Sequence, residues 1–380
     1  MNLTVLRFPL SSHEVVRLCV FLVVFLGGLS TAEAQCNGSS VLCSKKYDEV
    51  AYLTTHNAFN SLQENFSLPN QNLDITGQLN VGVRAFMLDV YNYQGDIVVY
   101  HGFPFLGTSP LEDQLLKITT FLDTHPNEVV TVILECYVSA NDIESEMTQS
   151  GLINYVYEHP QGTPWPTLQT MINNNTRCVV FSDVDDASAN QGWYHYMWTN
   201  MVETHYSNHA ITDFSCDFNR GDSINDLFIL NHFVTDATYG TGMLAESEIA
   251  NSNPFFINRA LQCQQEKQKF PNFVTVDFVE LGDSKQVVDI LNGIEFLSLP
   301  TSVNDELSIS PNPTSDLVSV LSKEMDLSQL RIFSFSGQNC TDLVNMNVDH
   351  PDHCVIDCSA LKSGVYLIQY GIYSMKLIKE

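Results

Sequence analysis

The stretches Leu53–Phe59 (LTTHNAF), Gly82–Asp89 (GVRAFMLD) and Tyr100–Phe103 (YHGF) decide the fold. Each closes or contains a short apolar run, bounded by turn residues, of the kind that forms a buried strand. His56, His101 and two oxygen-bearing side chains fall near the ends of these runs. In a parallel barrel, side chains at strand C-termini face the reaction cleft, so this layout predicts a barrel active site.

From Tyr52 to Glu280 the chain alternates between strand-like runs and polar or helical segments. The helical pattern is clearest at Ser109–Thr124, where leucine and isoleucine recur at three- and four-residue spacing. Strand-like runs lie near 51–57, 83–90, 97–101, 129–137, 177–184, 226–234 and 273–279. Such alternation predicts an α/β fold, a (β/α)8 barrel of the TIM type.

With these motifs in order, the chain resembles the phosphatidylinositol-specific phospholipase C X-domain family, most closely its secreted plant and bacterial members. The resemblance extends from about Cys36 to about Gly293. It continues through Ile133–Tyr137 (ILECY), Trp165–Thr167 (WPT), Met201–Glu203 (MVE) and Pro271–Phe278 (PNFVTVDF).

The N-terminus has the three parts of a secretory signal peptide. Arg7 and Arg17 precede the apolar run Leu18–Leu29, and Ala32–Ala34 supplies an Ala-x-Ala cleavage site. The apolar run is shorter than the ~20 residues that span a bilayer. We therefore expect residues 1–34 to be removed and a soluble barrel domain to occupy residues 35–298.

The C-terminal end changes character after a linker predicted at residues 299–306. Residues 307–380 contain short strand-like runs without helical periodicity, opening with Ser310–Thr314 (SPNPT). They resemble the sorting domain of the bacterial type IX secretion system, which implies a small β-sandwich and a secreted or cell-surface protein of a Gram-negative bacterium. A purely structural β-domain is the alternative.

Export makes the cysteines disulfide candidates. Cys36 and Cys43 flank a short turn and are predicted to pair, and the family resemblance implies a second bridge between Cys216 and Cys263. The pairing of Cys340, Cys354 and Cys358 stays open. Two further cysteines, Cys136 and Cys178, lie in apolar strand-like runs and are predicted to be small buried hydrophobes.

The formal net charge is −27, from 44 acidic and 17 basic residues. Such a chain repels polyphosphate and has no basic stripe, which argues against a nucleic-acid partner. The same charge should weaken adsorption to anionic lipid. We therefore expect only transient contact with a membrane surface and a monomeric protein.

The resemblance implies phospholipase C chemistry, in which the inositol 2-hydroxyl attacks phosphorus and diacylglycerol leaves. His56 and His101 suit proton transfer and phosphate binding, because imidazole titrates near neutral pH. The alternative is that both are ordinary polar residues at strand ends.

Family members place either an arginine or Ca²⁺ beside the phosphate, and Asp89 falls where the calcium-free enzymes carry the arginine. Asn57, Asp89 and Glu135 are oxygen ligands of the kind that Ca²⁺ prefers. A glutamate ligand of the calcium enzymes would fall at Met87. We therefore expect a calcium site that is weak, or else two carboxylates that are hydrogen-bonded at the barrel rim.

Three further assignments complete the predicted site. Arg84 is a candidate substrate contact, or else an ion-pair partner of a barrel carboxylate. Asp277 is assigned to the substrate site, where it would orient His56. The aromatic run Trp193–Trp198 favours a helix packed on the barrel over a lipid-facing patch.

The sequence leaves three functions in competition. The first is an exported phosphodiesterase that cleaves an inositol phospholipid or related lipid head group. The second is a catalytically weak barrel that binds phospho-head-groups, suggested by Met87 and the acidic surface. The third, a glycerophosphodiester phosphodiesterase, requires a His-Arg-Gly opening and a Glu-x-Asp pair, and neither is present.

Overall fold

The computed structural model describes residues 35–186, 191–294, 307–322, 327, 330–334, 339–370 and 373–380. The predicted signal peptide, residues 1–34, and the predicted linker, residues 299–306, lie outside the described residues. Within the described part, no helix is both long and apolar enough to cross a membrane.

The first part of the chain is built on one large sheet. Its strands are β1 Tyr52–Thr55, β2 Ala85–Tyr93, β3 Asp96–Val99, β4 Ser109–Pro110, β5 Val130–Cys136, β6 Cys178–Ser182, β7 Tyr194–Tyr196, β8 Met201–Thr204, β9 Phe218–Gly221, β10 Leu227–Asn231 and β11 Phe273–Val276. The hydrogen-bonded order is β7-β6-β5-β2-β1-β11-β10-β8-β9, with β3 paired to β2 and β4 paired to β3. Seven of the pairings along this path are parallel, and β9 joins β8 antiparallel.

The parallel α/β sheet agrees with the prediction, but a closed eight-stranded barrel is not what the structure describes. Among the described residues, no ladder joins the two edge strands β7 and β9. One edge is the three-residue strand β7, and the other is covered by β9, which folds back on β8. The sheet is therefore a curled partial barrel.

Helices cover the outer face of this sheet. They are α1 Ile75–Asn80, α2 Leu111–Thr124, α3 Ala140–Gln149, α4 Leu168–Asn173, α5 Leu244–Ala250, α6 Phe255–Lys267 and α7 Ser284–Asn292. The helix predicted at 109–124 is α2, which begins two residues later because Ser109 and Pro110 form a strand.

Successive strand residues enter two separate hydrophobic clusters. Tyr52 and Phe273 belong to the cluster that fills the concave side of the sheet. Leu53 and Val274 belong to the cluster between the sheet and the helices, which includes Leu115 of α2. Burial on both faces explains why the strands are nearly continuous apolar runs rather than alternating ones.

Two local predictions are wrong. The segment around Trp193–Trp198 is not a helix: it forms β7, a short 3-10 turn at Met197–Thr199 and then β8. The strand before His101 is not parallel to its neighbour, because β2 and β3 form an antiparallel hairpin through a tight turn at Gly95. Since β2 extends beyond the rim to Tyr93, the hairpin returns His101 to the level of Asp89.

The C-terminal part contains two antiparallel sheets. Their strands are β12 Leu307–Ser310, β13 Leu317–Ser322, β14 Leu330–Ser334, β15 Asn345–His350, β16 His353–Asp357, β17 Gly364–Tyr370 and β18 Tyr373–Lys379. One sheet has the order β12-β13-β16-β15 and the other β14-β17-β18. Both contribute to one core, for example Val320 and Ile356 from the first sheet and Ile332 and Ile368 from the second. Two sheets around one core is the arrangement expected of a small β-sandwich.

Both expected disulfides are present. Cys36 is bonded to Cys43, and Cys216 is bonded to Cys263. Cys136 and Cys178 are buried thiols, as predicted, and burial raises the pKa of the Cys178 thiol to about 12.

Candidate active site

A cavity of about 480 Å³ opens at the carboxyl ends of the parallel strands. Its volume lies in the range of ordinary small-molecule sites. It is lined by all five predicted catalytic and metal-binding residues: His56, Asn57, Asp89, His101 and Glu135. The curled sheet thus brings together side chains that are up to 79 positions apart in the sequence, from His56 to Glu135.

His56 is fixed by a buried carboxylate. It directly follows β1, and its Nδ1 lies 3.0 Å from Oδ1 of Asp277, whose side chain is fully buried. The amide of Asn70 donates to the other Asp277 oxygen at 3.0 Å, and Phe233 stacks on the imidazole at 3.9 Å between ring centres. Because the Asp277 carboxylate accepts a hydrogen bond from Nδ1–H, the neutral ring has Nε2 as its acceptor nitrogen.

His101 has acceptors at both ring nitrogens. Nδ1 lies 3.0 Å from Oδ2 of Asp89, and Nε2 lies 3.1 Å from the carbonyl oxygen of Gly240. Burial alone would lower the pKa of His101, but the hydrogen bond and charge of Asp89, with the charges of Asp277 and Glu135, raise it above its usual value. Two acceptors and a raised pKa favour the doubly protonated ring.

The two rings are 6.3 Å apart between their centres and meet edge to face. One ring therefore presents an acceptor nitrogen, and the other, close by, is a proton donor. This is the pairing that general acid–base catalysis requires on the two sides of one reacting group.

The three predicted metal ligands all line the cavity. Asp89 and Glu135 are directly opposite each other on the parallel strands β2 and β5, and Asn57 lies beside them in the cavity wall. Burial raises the pKa of the Glu135 carboxyl, and the charge of Asp89 raises it further. Within the described residues, no group of three or more histidine, cysteine, aspartate or glutamate side chains is arranged to hold a metal.

The structure corrects the assignment of Arg84 to the substrate site. Its guanidinium pairs with Glu128 at 2.7 Å and donates to the carbonyl oxygens of Leu79 and Val83. Arg84 immediately precedes β2, at the end of the sheet opposite the cavity, and does not line the cavity. Of the two roles left open by the sequence, ion pairing is the one observed. Asp277 contacts His56 rather than the cavity, which fits its predicted orienting role.

Sequence reasoning missed several cavity residues. They are Tyr137, Asp183, Glu203, Arg220, Asn231 and Phe233. Most of them follow or end a strand, so the rule that located His56 could have found them. Arg220 is different: it lies on β9, which no sequence pattern predicted.

A curled parallel sheet that carries two histidines, each supported by a carboxylate, at the carboxyl ends of its strands defines the architecture of this domain. Comparison with known proteins assigns the chain to a family: residues 42–292 match the PI-PLC X family, described as "PI-PLC X 1", and the chain belongs to that family. Residues 308–380 match the secretion system C-terminal sorting domain.

Curated relatives come from plants and fungi. A PI-PLC X domain-containing protein of Arabidopsis thaliana is 30% identical over 277 residues, covering 67% of this chain and 63% of that protein. An uncharacterized secreted protein of Arthroderma benhamiae is 27% identical over 290 residues, covering 69% of this chain and 64% of that protein. The chain thus spans a little less than two thirds of the length of each.

Solved structures that align with this chain include phosphatidylinositol-specific phospholipase C from Listeria monocytogenes. It has 18% sequence identity and a TM-score of 0.45, and the alignment covers 67% of this chain and 96% of that one. A mutant of the enzyme from Staphylococcus aureus aligns with 12% identity and a TM-score of 0.45, over 66% of this chain and 93% of that one.

Proposed function

We propose that the protein is an exported phosphoric diester hydrolase/lyase that cleaves an inositol phospholipid or a related lipid head group, with a cyclic phosphodiester as the first product. One observation carries the proposal: two histidines lie in one cavity, each with Nδ1 at 3.0 Å from an aspartate oxygen, and Nε2 of His101, unlike Nε2 of His56, also meets an acceptor among the described residues. Family membership supports the reaction class.

In this mechanism His56 is the base and His101 the acid. Nε2 of His56 takes the proton of the inositol 2-hydroxyl as that oxygen bonds to phosphorus. The bond from phosphorus to the glycerol oxygen breaks, and His101 gives that oxygen the proton on Nε2, which leaves the carbonyl oxygen of Gly240. The products are a cyclic phosphodiester and diacylglycerol. Asp277 holds the tautomer of His56, and Asp89 holds the charge of His101.

Calcium is a second element of the proposal. Oxygen atoms of Asn57, Asp89 and Glu135 suit Ca²⁺ chemically. Burial raises the pKa of Glu135, and the charge of Asp89 raises it further; a cation between the two carboxylates would offset that charge. Three side chains are fewer than the 6–8 oxygens that Ca²⁺ takes, so these residues would hold the ion weakly, with water completing its shell. The bound ion would supply positive charge beside the phosphate.

The test is to incubate the purified protein with phosphatidylinositol, with added Ca²⁺ or with a chelator, and to measure cyclic inositol phosphate. We expect product in the presence of Ca²⁺ and less with chelator. Turnover that is unaffected by chelation would remove calcium from the proposal while leaving the enzyme.

A catalytically weak barrel that binds phospho-head-groups is the second candidate. Met87 favours it, because this thioether lies in the cavity wall where the calcium enzymes of the family carry a carboxylate. In the same assay, head-group binding without turnover on any inositol or choline lipid would support this candidate over the enzyme.

Two apolar rings suit brief contact with lipid. Phe103 and Phe105 follow His101 in the chain, stack on each other at 5.3 Å, and are 48% and 75% exposed. The two rings would insert into the membrane–water interface, while the acidic protein surface shortens the time that the protein stays bound. In a sedimentation assay with phosphatidylinositol vesicles, Phe105→Ser should reduce binding. Unchanged sedimentation would place the contact elsewhere.

The C-terminal domain suggests the export route. We propose type IX secretion, in which residues 307–380 are the address and residues 35–298 a monomeric enzyme. Truncation after Pro300 should leave catalysis unchanged but stop surface delivery in a host with that machinery. Surface delivery at normal levels would refute the address, and an unfolded truncated protein would refute the domain boundary.

A further inference from the structure

Arg220 enters the cavity from the strand that covers the sheet edge. Its Nε donates to Oε1 of Glu203, and the guanidinium carbon lies 4.6 Å from the ring centre of Trp198 and 4.5 Å from that of Tyr206. Asn231 donates to the other oxygen of Glu203 at 3.1 Å. The guanidinium is thus fixed by one carboxylate and two aromatic rings.

The backbone next to Arg220 is equally constrained. Gly221 has φ +82°, and a Cβ atom built there would lie 2.1 Å from the carbonyl oxygen of Met201. Only glycine allows β9 to approach β8 this closely. The close approach of β9 to β8 therefore fixes the backbone of Arg220, while Glu203 and the two aromatic rings fix its guanidinium.

Arg220 differs from three other arginines in the hydrogen bonding of its terminal nitrogens, Nη1 and Nη2. Arg84, Arg177 and Arg259 each donate at least one Nη group to a carbonyl oxygen of the surrounding backbone. For Arg220, no bond from Nη1 or Nη2 is found to any described residue, and the side chain is 42% exposed toward the cavity. A guanidinium held by Nε alone presents its two remaining NH₂ groups to a ligand.

The charge of the cavity shows which ligand these groups suit. Among the described lining residues, Arg220 is the one arginine or lysine, and it faces carboxylates that include Glu135 and Asp183. A phosphodiester anion entering this cavity meets repulsion from the acidic wall. The paired NH₂ groups of an arginine match two phosphate oxygens in geometry and charge.

We propose that Arg220 is a substrate-binding residue whose Nη groups hold phosphate oxygens of the ligand. The inference rests on the proposed function for its substrate class, but not for phosphate binding itself. Because the positive charge belongs to the protein, phosphate binding persists when Ca²⁺ is removed.

The test measures binding and turnover separately in Arg220→Gln, Arg220→Lys and Lys267→Gln. Lys267 is a matched control, because it also loses one positive charge, pairs with Asp217 and lies over Phe218 of the same strand β9, yet does not line the cavity. Binding of inorganic phosphate and of soluble glycerophosphoinositol is measured by calorimetry in chelator. Turnover is measured on phosphatidylinositol vesicles.

We expect Arg220→Gln to weaken phosphate binding by about tenfold or more, as for loss of a charge-assisted hydrogen bond. KM should rise more than kcat falls. Arg220→Lys should recover part of the affinity, because it keeps charge but loses the paired geometry. Lys267→Gln should match the wild type. Lower affinity of Arg220→Gln for the two soluble ligands would identify the phosphate group as what Arg220 contacts. An effect on vesicles alone would mean that Arg220 contacts the lipid surface, which would overturn the proposal.

Unchanged Kd and KM in Arg220→Gln would overturn the inference while leaving the proposed function intact. If the wild type binds phosphate, Arg220→Gln does not, and the wild type turns over no diester, the inference about Arg220 is supported and the proposed enzymatic function is refuted. If Lys267→Gln lost as much phosphate affinity as Arg220→Gln, the effect would come from net charge alone, and the inference would be overturned. If Arg220→Gln melts at a lower temperature, phosphate binding is measured well below that temperature and compared with Arg220→Lys: higher affinity in the folded lysine variant supports the proposal, and equal affinity in the two folded variants contradicts it.

Discussion

His56 and His101 lie in one cavity, but the atoms around their rings differ. Around His56, one nitrogen meets Asp277 and one ring face meets Phe233, and no acceptor is found at Nε2 among the described residues. Around His101, a carboxylate and a carbonyl oxygen accept from both nitrogens. These different surroundings support the roles proposed above, in which His56 is the base and His101 the acid.

The two supporting carboxylates also differ in burial. Asp277 is fully enclosed and receives a second hydrogen bond from Asn70, whereas Asp89 lines the cavity and lies opposite Glu135. Asp277 can act only through His56. Asp89 can act on His101, on a cation or on both, so variants of the two aspartates should behave differently.

The largest expected effect comes from removing either ring. His56→Ala and His101→Ala should each lower turnover by about 10²–10⁴-fold, as expected for a lost base or acid. Steady-state kinetics on phosphatidylinositol measures this, with melting temperature as the control for folding. Wild-type turnover in either folded variant would refute the acid–base assignment.

A smaller loss is expected when Asp277 becomes neutral. Asp277→Asn should lower kcat by about 10–100-fold, because a charge-assisted hydrogen bond to His56 is lost and the ring can adopt the other tautomer. Asp289→Asn is the control: it removes a carboxylate that pairs with Lys285 on α7, outside the cavity. Equal kinetics in the two variants would show that Asp277 does not orient His56.

Asp89→Asn should instead move the pH profile. His101 is active as the protonated acid, so turnover falls as pH rises through its raised pKa. Removing the hydrogen bond and charge of Asp89 leaves burial, which lowers the pKa of His101, opposed only by the charges of Asp277 and Glu135, so the alkaline limb of the kcat profile should move to lower pH. The profile is measured at saturating Ca²⁺ and in chelator, since Asp89 is also a proposed ligand. An unmoved alkaline limb would mean that His101 is not the acid.

The sequence predicted more of the His56 side than of the His101 side, for a physical reason. His56 follows a parallel strand, and parallel strands of buried runs place their ends at one edge, which periodicity can indicate. His101 reaches the same edge through an antiparallel hairpin, and the acceptor at its Nε2 comes from Gly240, 139 positions away. Local patterns do not encode such a loop contact.

The same limit explains why the sequence pointed to Arg84 as a cavity residue and not to Arg220. Arg84 lies in a recognisable motif, yet it precedes its strand and so belongs to the opposite end of the sheet. Arg220 lies in a short strand with no apolar alternation, Phe218–Gly221, which pairs only because it folds back on β8. Arg220 lines the cavity and Arg84 does not, because each lies on or next to a strand that runs in a different direction relative to the cavity.

The smallest effect should come from the carbonyl group that caps His101. Gly240 has φ +70°, and a Cβ atom there would lie 3.2 Å from Nε2 of His101. Gly240→Ala should displace this loop and lengthen the Nε2–H···O bond. Loss of one such bond corresponds to about a fivefold fall in kcat, with a slight shift of the alkaline limb to lower pH.

Gly162→Ala separates this effect from backbone strain. Gly162 has φ +75° with open space around its Cβ position, so both variants should lose about 1 kcal/mol of stability from the left-handed conformation. Only Gly240→Ala should change kcat and the pH profile. If both variants changed them equally, the effect would come from stability. If neither did, the carbonyl of Gly240 would not contribute to the acid state of His101, and Asp89 alone would distinguish the two histidines.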